Sequence, residues 1–284
     1  MKMTHDFHIH TELSICSGGP GQGGTLQGYL EAAKREGITT LGFADHFWDE
    51  GVGFDSLYID SVQAADVPWY YKTQNTAHVW QLKEEIDKTD TGGIEVLFGV
   101  EGEYDPCNHG IAITPETAEK LDFYTVAHSH THMMMDKAFA NDFIKHRDYM
   151  IQGFIDCVTC PLADGLFSLV HPFEACASPQ TDRYEIRRLI SDDEYLRLFE
   201  MAAKKNIAIE VNISEMRANR MVRPDDFSEH ERMFRLARRA GCKLVFGSDA
   251  HRVDRYENMS ADADEFIKLF DIKESDIAIF PHKK

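Results

Sequence analysis

The sequence predicts an α/β fold, a closed or distorted barrel of about seven strands in one domain spanning residues 1–284. Three observations predict it. Short apolar strands alternate with amphipathic helices along the whole chain, which implies a mostly parallel sheet. No linker or low-complexity stretch divides the 284 residues, a length common among single-domain barrels. Imidazoles and carboxylates fall repeatedly at the predicted strand ends, where barrels carry their chemistry.

Taken in order, Asp6 to His10 reads as the first strand, followed by the breaker Gly18-Gly19-Pro20-Gly21. Thr25 caps a helix through Arg35, with Leu26, Tyr29, Leu30 and Ala33 on one face and Gly37 as its stop. Ile38 to Ala44 is the second strand. An insertion rich in aromatics (Trp48, Phe54, Tyr58, Trp69, Tyr70, Tyr71) follows it and reads equally as a specificity wall or as packing. A helix over residues 76–88 leads to the apolar run Ile94 to Val100. Phe123 to Ala127 and Phe167 to Val170 read as strands around a helix from Asn141 to Ile155. Capping boxes at Ser191/Glu194 and Ser228/Glu231 open helices to Lys205 and Gly241, each followed by a strand, Ile207 to Val211 and Lys243 to Phe246. One more helix spans residues 261–270. An open doubly wound sheet is the alternative, but no G-x-G-x-x-G loop follows the first strand.

The formal net charge of −18 argues against long nucleic acids, which need a basic face. A small anion is not excluded, because divalent ions make a local positive site on an acidic protein. No signal-peptide core or membrane-length apolar run is present, and the six cysteines show no disulfide-framework spacing. These features predict a cytoplasmic protein with reduced thiols and no membrane partner. Cys157 and Cys160 form a single C-x-x-C after a predicted helix, too little for a zinc ribbon or a thioredoxin-like site.

The strand ends are the informative part. The first carries His8 and His10, which share a face because strand side chains alternate. The next carry Asp45-His46, then Glu101, then the triplet His128, His130 and His132, then His171-Pro172, and finally Gly247-Ser248-Asp249-Ala250-His251. Within the triplet the register is open, with His130 favoured. The remaining histidines (5, 78, 109, 146, 230, 282) read as surface or supporting residues. Imidazole and carboxylate without a cysteine cluster suit zinc, manganese or iron(II). His8, His10, His46, Glu101, His130, His171, Asp249 and His251 are eight candidate ligands, more than one tetrahedral ion uses, so two or three divalent ions are expected. Such a site attracts a phosphate and stabilises charge developing on its oxygens. Arg217, Arg220, Arg223 and Arg252 lie past strand ends and suit anion capture, with Arg252 the first choice.

In this order the motifs H-x-H, D-H, strand-end Glu, H-x-H, H-P and G-S-D-A-H resemble the PHP (polymerase and histidinol phosphatase) family, from Asp6 to about His251. The resemblance implies a distorted (β/α)7 TIM-like barrel and usually a trinuclear site. It implies that His8, His10, Glu101 and Asp249 hold one ion, that Glu101 bridges to a second with His130 and His171, and that His46 and His251 hold a third. Many members have His or Asp where this chain has Cys16. A thiolate ligates zinc, so either Cys16 completes the third position or that position is weak or empty. The implied activity is hydrolysis of a small phosphomonoester, histidinol phosphate first, with Asp45 or His128 protonating the leaving group or orienting a ligand. A nucleotide or short-oligonucleotide phosphoesterase is the alternative enzyme, and a non-catalytic metal-binding relative the alternative without chemistry. An amidohydrolase needs a bridging strand-end lysine, and no lysine occupies a predicted strand end.

Overall fold

The computed structural model describes residues 1–19, 21, 23–53 and 72–280. Its strands are β1 (His5–Ile9), β2 (Thr40–Phe47), β3 (Glu95–Asp105), β4 (Gly110–Ile111), β5 (Phe123–Ala127), β6 (Ser168–Val170), β7 (Ala208–Asn212) and β8 (Leu244–Gly247). All but β4 run parallel in the order β1-β2-β3-β5-β6-β7-β8. β4 is an antiparallel hairpin partner of the overlong β3. The ring nearly closes between β8 and β1: the Asp249 N–H donates to the His8 carbonyl (2.7 Å) and the His10 N–H to the Ala250 carbonyl (3.0 Å). The Tyr29 hydroxyl lies 3.1 and 2.8 Å from the His10 and Ala250 carbonyls and so covers this seam. The result is the expected single-domain distorted barrel of seven parallel strands with helices between them.

Alternation assigns the interior. Leu97, Gly99, Glu101 and Glu103 are two apart on β3 and face inward, so one strand delivers floor residues at its start and site residues at its end. Phe7, Leu97, Phe123, Phe167, Ala208 and Val245 fill the lower half, with Phe280 packed against them. The Phe280 ring lies 5.5 Å from Phe7 and 5.4 Å from Phe167. On β1 both Phe7 and its neighbour His8 face inward, which strict alternation forbids. A register irregularity between Asp6 and Ile9 permits it.

The helices follow their caps where the caps form. Thr25 accepts from Gly28 and Gly37 closes Leu26–Glu36 at φ 75°. Ser191 accepts from Glu194 at the start of Asp192–Lys204. The second expected box does not form, because Asp226 takes the Ser228 N–H and hydroxyl and Phe227 stands at the cap. The helix expected to end at Ile155 runs over Phe143–Thr159, placing buried Cys157 in its last turn, and all six cysteines are free thiols. Arg217 and Arg220, expected past a strand end as anion-capturing residues, lie on the helix Ile213–Val222 that follows β7 and pair with Asp262. Phe54, Tyr58, Trp69, Tyr70, Tyr71 and His282 lie outside the described residues. Within those residues, no helix is long and apolar enough to cross a membrane.

Phe280 closes the floor from outside the strands, so Phe280→Ala lowers stability by about 1–2 kcal/mol, less than the full burial of an aromatic ring contributes. Urea denaturation measures this; an unchanged midpoint would show that the floor is complete without the C-terminal ring.

Candidate metal centre

The strand ends converge on one buried carboxylate. Glu101 is fully buried, and His46 stands directly across from it in the β2–β3 register, its Nδ1 2.8 Å from Glu101 Oε2. His8 Nε2 and His10 Nε2 each lie 3.4 Å from the same oxygen. On the other side His130 Nε2 and His171 Nε2 lie 3.5 and 3.7 Å from Oε1. Asp249 divides itself likewise, Oδ1 lying 3.3 Å from His10 and Oδ2 3.6 Å from His171. His171 (φ 47°) and Asp249 (φ 52°) both adopt left-handed backbone conformations rare for residues with a Cβ, a strain typical of positions whose side-chain direction matters.

These separations suit cations. Metal bonds of about 2.0–2.1 Å in a tetrahedron place ligand atoms roughly 3.3–3.4 Å apart. From the imidazoles of His8 and His10 to each other and to Glu101 and Asp249, the distances are 3.1, 3.4, 3.4, 3.3 and 3.7 Å. The 3.1 Å approach of the two Nε2 atoms sets lone pair against lone pair unless a cation or proton lies between them. Neither Glu101 oxygen makes a hydrogen bond of good geometry despite complete burial, an omission expected of a ligand and costly otherwise. Groups able to hold an ion are His8/His10/Glu101, His8/His171/Asp249, Glu101/His130/His171, His46/Glu103/His130 and His10/Cys16/His46/His251. All eight ligands expected from the sequence fall within these groups, and Cys16 and Glu103 join them.

A second ring of carboxylates fixes the imidazoles. Glu210 lies 2.6 Å from His8 Nδ1, Glu174 2.9 Å from His171 Nδ1, and Glu103 3.1 Å from His130 Nδ1. Each pairing places the proton on Nδ1 and turns the Nε2 lone pair toward the centre. Glu210 reaches His8 only because β8 carries Gly247 there: a Cβ at that position would meet Glu210 Oε1 at 2.0 Å and the His8 Cβ at 2.7 Å. None of these carboxylates was singled out in the sequence. The available signals were a lone acid inside the apolar strand Ile207 to Val211, an acid two residues beyond Glu101, and one three residues after His171.

Three expected roles meet different surroundings. Asp45 neighbours His46 on a strand and therefore faces the opposite side, where it binds the Thr11 N–H and hydroxyl at 2.6 Å each. His128 follows the end of β5 and lies between Phe154 and Phe173, its Nε2 accepting the Phe173 N–H at 3.4 Å. Arg252 is exposed and pairs with Asp254. None of the three lines the roughly 620 Å³ cavity at the strand ends, whereas His132, Gln180 and Arg183 do. The triplet does not continue β5, because the chain turns at His128 and enters a short helix at Thr131. His146 and His230, read as surface or supporting residues, are buried and bonded to Thr131 and Glu215. A larger cavity of about 1130 Å³ opens at the barrel floor, but none of the ligand groups faces it.

A nearly closed parallel barrel whose strand ends surround shared carboxylates with imidazoles is the scaffold of a metal-binding α/β barrel. No protein-family model and no curated protein matches the sequence. Among solved structures, the chain is similar to histidinol phosphate phosphatase from Lactococcus lactis subsp. lactis, crystallised with zinc, L-histidinol and phosphate. The TM-score is 0.62 at 18% identity, with 99% of each chain covered. At that identity the likeness is one of fold, along the whole chain, and it is the fold that the PHP-like motifs predicted.

If Glu210 holds His8 for an ion, Glu210→Ala and Gly247→Ala each reduce zinc affinity by roughly 10–100-fold, the usual effect of removing a ligand's supporting partner. Competition with a chromophoric chelator reads this directly; wild-type affinity in both variants would deny Glu210 that role. The protonation balance gives a second expectation. Burial works to lower His171, yet Asp249, Glu174 and Glu101 outweigh it and push the imidazole up to about 10. Against the same opposition, Asp249 and Cys16 bring His251 up to about 9. Both exceed the roughly 6.5 of an unfolded chain. Their contribution to metal-free stability is therefore complete below that value and lost as pH rises through 9 to 10. The metal-free melting temperature falls from pH 7 to pH 10, less steeply in His171→Gln, and zinc added at pH 7 releases protons. Equal slopes in the two proteins would contradict the assignment.

Proposed function

We propose that the chain is a metal-dependent phosphatase that hydrolyses a small phosphomonoester, histidinol-phosphatase-like, with two or three divalent ions. The observation that carries this reading is the shared buried Glu101, whose two oxygens face two separate imidazole groups at metal-ligand spacing. The similar fold of an enzyme solved with zinc, L-histidinol and phosphate supports the substrate class.

His8, His10, Glu101 and Asp249 would hold one ion, and Glu101, His130 and His171 a second, with His46 and His251 at a third position. Bound there, divalent ions supply Lewis acidity, acidifying water toward neutral pH and offsetting phosphate charge. Zinc fits the imidazole-rich set, and manganese and iron(II) are the other candidates. The protein's part is orientation. Glu103, Glu174 and Glu210 hold three rings in one tautomer, so the site is arranged before substrate arrives and little reorganisation accompanies the reaction.

Substrate enters the cavity beside Arg183, whose Nε and two Nη atoms bond Ser178, Glu174 and Cys176. Three of its five donors are thereby used, and the remaining two suit an anion. His132 is the cavity-lining imidazole outside the ligand groups. Burial, with the neighbouring His130, His46 and His171, holds its pKa well below the ordinary histidine value, so it would meet a substrate as a neutral hydrogen-bonding imidazole.

Chelator treatment abolishes phosphatase activity, and zinc, manganese or iron(II) restores it. Assayed against a panel, histidinol phosphate and other small monoesters turn over faster than nucleotides or dinucleotides. Activity unaffected by complete metal removal would overturn the proposal. Preference for dinucleotides would replace it with the nucleotide phosphoesterase reading, and bound metal without turnover of any ester with a binding role.

A further inference from the structure

Cys16 occupies the rim loop between β1 and the helix Leu26–Glu36, in the 3-10 turn Ile15–Ser17. The loop is anchored on both sides of the cysteine's approach to the cavity. Asp45 binds Thr11 through both backbone and hydroxyl. Buried Gln74 lies 3.2 Å from the Ser14 hydroxyl and accepts the Ile15 N–H at 3.2 Å through the same oxygen. Gly18 ends the turn with a left-handed φ of 82°. These bonds set Cys16 on the wall of the strand-end cavity, its sulfur within 4.8 Å of ring nitrogens of His10, His46 and His251.

The three rings lie close together, with centroids 4.4 Å apart for His10 and His46 and 4.3 Å for His10 and His251. His46 Nδ1 faces Glu101 at 2.8 Å, and His251 Nδ1 lies 2.9 Å from the Asp249 carbonyl. Within the ligand group His10, Cys16, His46 and His251, the thiol is the single donor able to carry a negative charge. Cys107, Cys157, Cys160, Cys176 and Cys242 belong to none of the ligand groups found among the described residues.

We propose that Cys16 is a thiolate ligand of an ion held with His46 and His251, and that this corner prefers zinc to manganese. The proposal rests on the metal-centre reading above but adds a donor and a selectivity to it. Sulfur favours a thiophilic ion, whereas manganese favours carboxylate and water oxygens. Ligation is an exchange without redox change: the S–H bond releases its proton to solvent and a metal–sulfur bond forms. One corner of the site thereby discriminates among metals that the all-oxygen and nitrogen groups accept alike.

Cobalt(II) is the probe. Metal-stripped full-length protein titrated with cobalt(II) develops a near-ultraviolet thiolate-to-cobalt charge-transfer band, which Cys16→Ser lacks and Cys176→Ser retains. In Cys16→Ser the affinity of this position falls by at least the roughly 10–100-fold that loss of a supporting partner alone would produce. Iodoacetamide labelling of Cys16, followed by mass spectrometry of its peptide, is blocked by zinc and not by equimolar manganese. Cobalt bound with its visible bands but no charge-transfer band overturns the thiolate ligand while leaving the metal centre intact. A band that persists in Cys16→Ser does the same, and equal protection by manganese overturns the selectivity. Absence of any bound cobalt overturns the metal centre itself, and the thiolate with it.

Discussion

A carboxylate buried without solvent is stable only where positive charge surrounds it, and Glu101 is such a group. Burial opposes its ionised form, yet His46, His8 and His130 hold its pKa well below the usual carboxylate range. Every neighbouring strand contributes to that arrangement, so the barrel's upper half is organised around one side chain. The same neutralisation can come from protons on the imidazoles or from cations between them. Ligand spacing of 3.1–3.7 Å and the meeting of His8 and His10 Nε2 favour cations, since a tetrahedral ion satisfies all four atoms while a proton satisfies two.

The remaining acids make sense from this centre outward. Glu103, Glu174 and Glu210 are each bound to one imidazole, and two of them have further anchors: Glu174 to Arg183, and Glu210 to the His171 N–H and Asn212. The orienting groups are thus themselves oriented. Deeper under the rim, Arg187, Glu215 and His230 form a buried cluster beside the cavity wall, with Arg187 also donating to the Phe173 carbonyl. Removing one member of such a cluster leaves an uncompensated buried charge, so its three members depend on one another.

Much of this was legible in the sequence, because strand periodicity is a two-residue rule. His8 with His10 and the strand-end placement of His46, Glu101, His171 and Asp249 follow from it without tertiary knowledge. Asp45 did not, because adjacency in sequence to His46 means opposition in space. The triplet His128, His130, His132 was ambiguous for a related reason: whether three alternating residues share a face depends on where the strand stops, and β5 stops at Ala127. Glu210 could not be paired with His8 from the sequence, since the partners are 202 residues apart and their approach depends on a missing Cβ on a third strand. The Ser228 box failed locally, where Asp226 offered the same N–H a nearer acceptor.

The seam between β8 and β1 has no strand ladder and is held by two backbone hydrogen bonds, the Tyr29 hydroxyl, and side-chain bonds that join Ser248 to Asp6 and the His8 carbonyl and Phe246 to His5. His8 and His10 stand on one side of it and Asp249 and His251 on the other. An ion gripped by both flanks would act as a clasp on the cylinder, so that ring closure and ion loading become a single thermodynamic event. The join made without a strand ladder would then be the place where chemistry and mechanical integrity are the same bond.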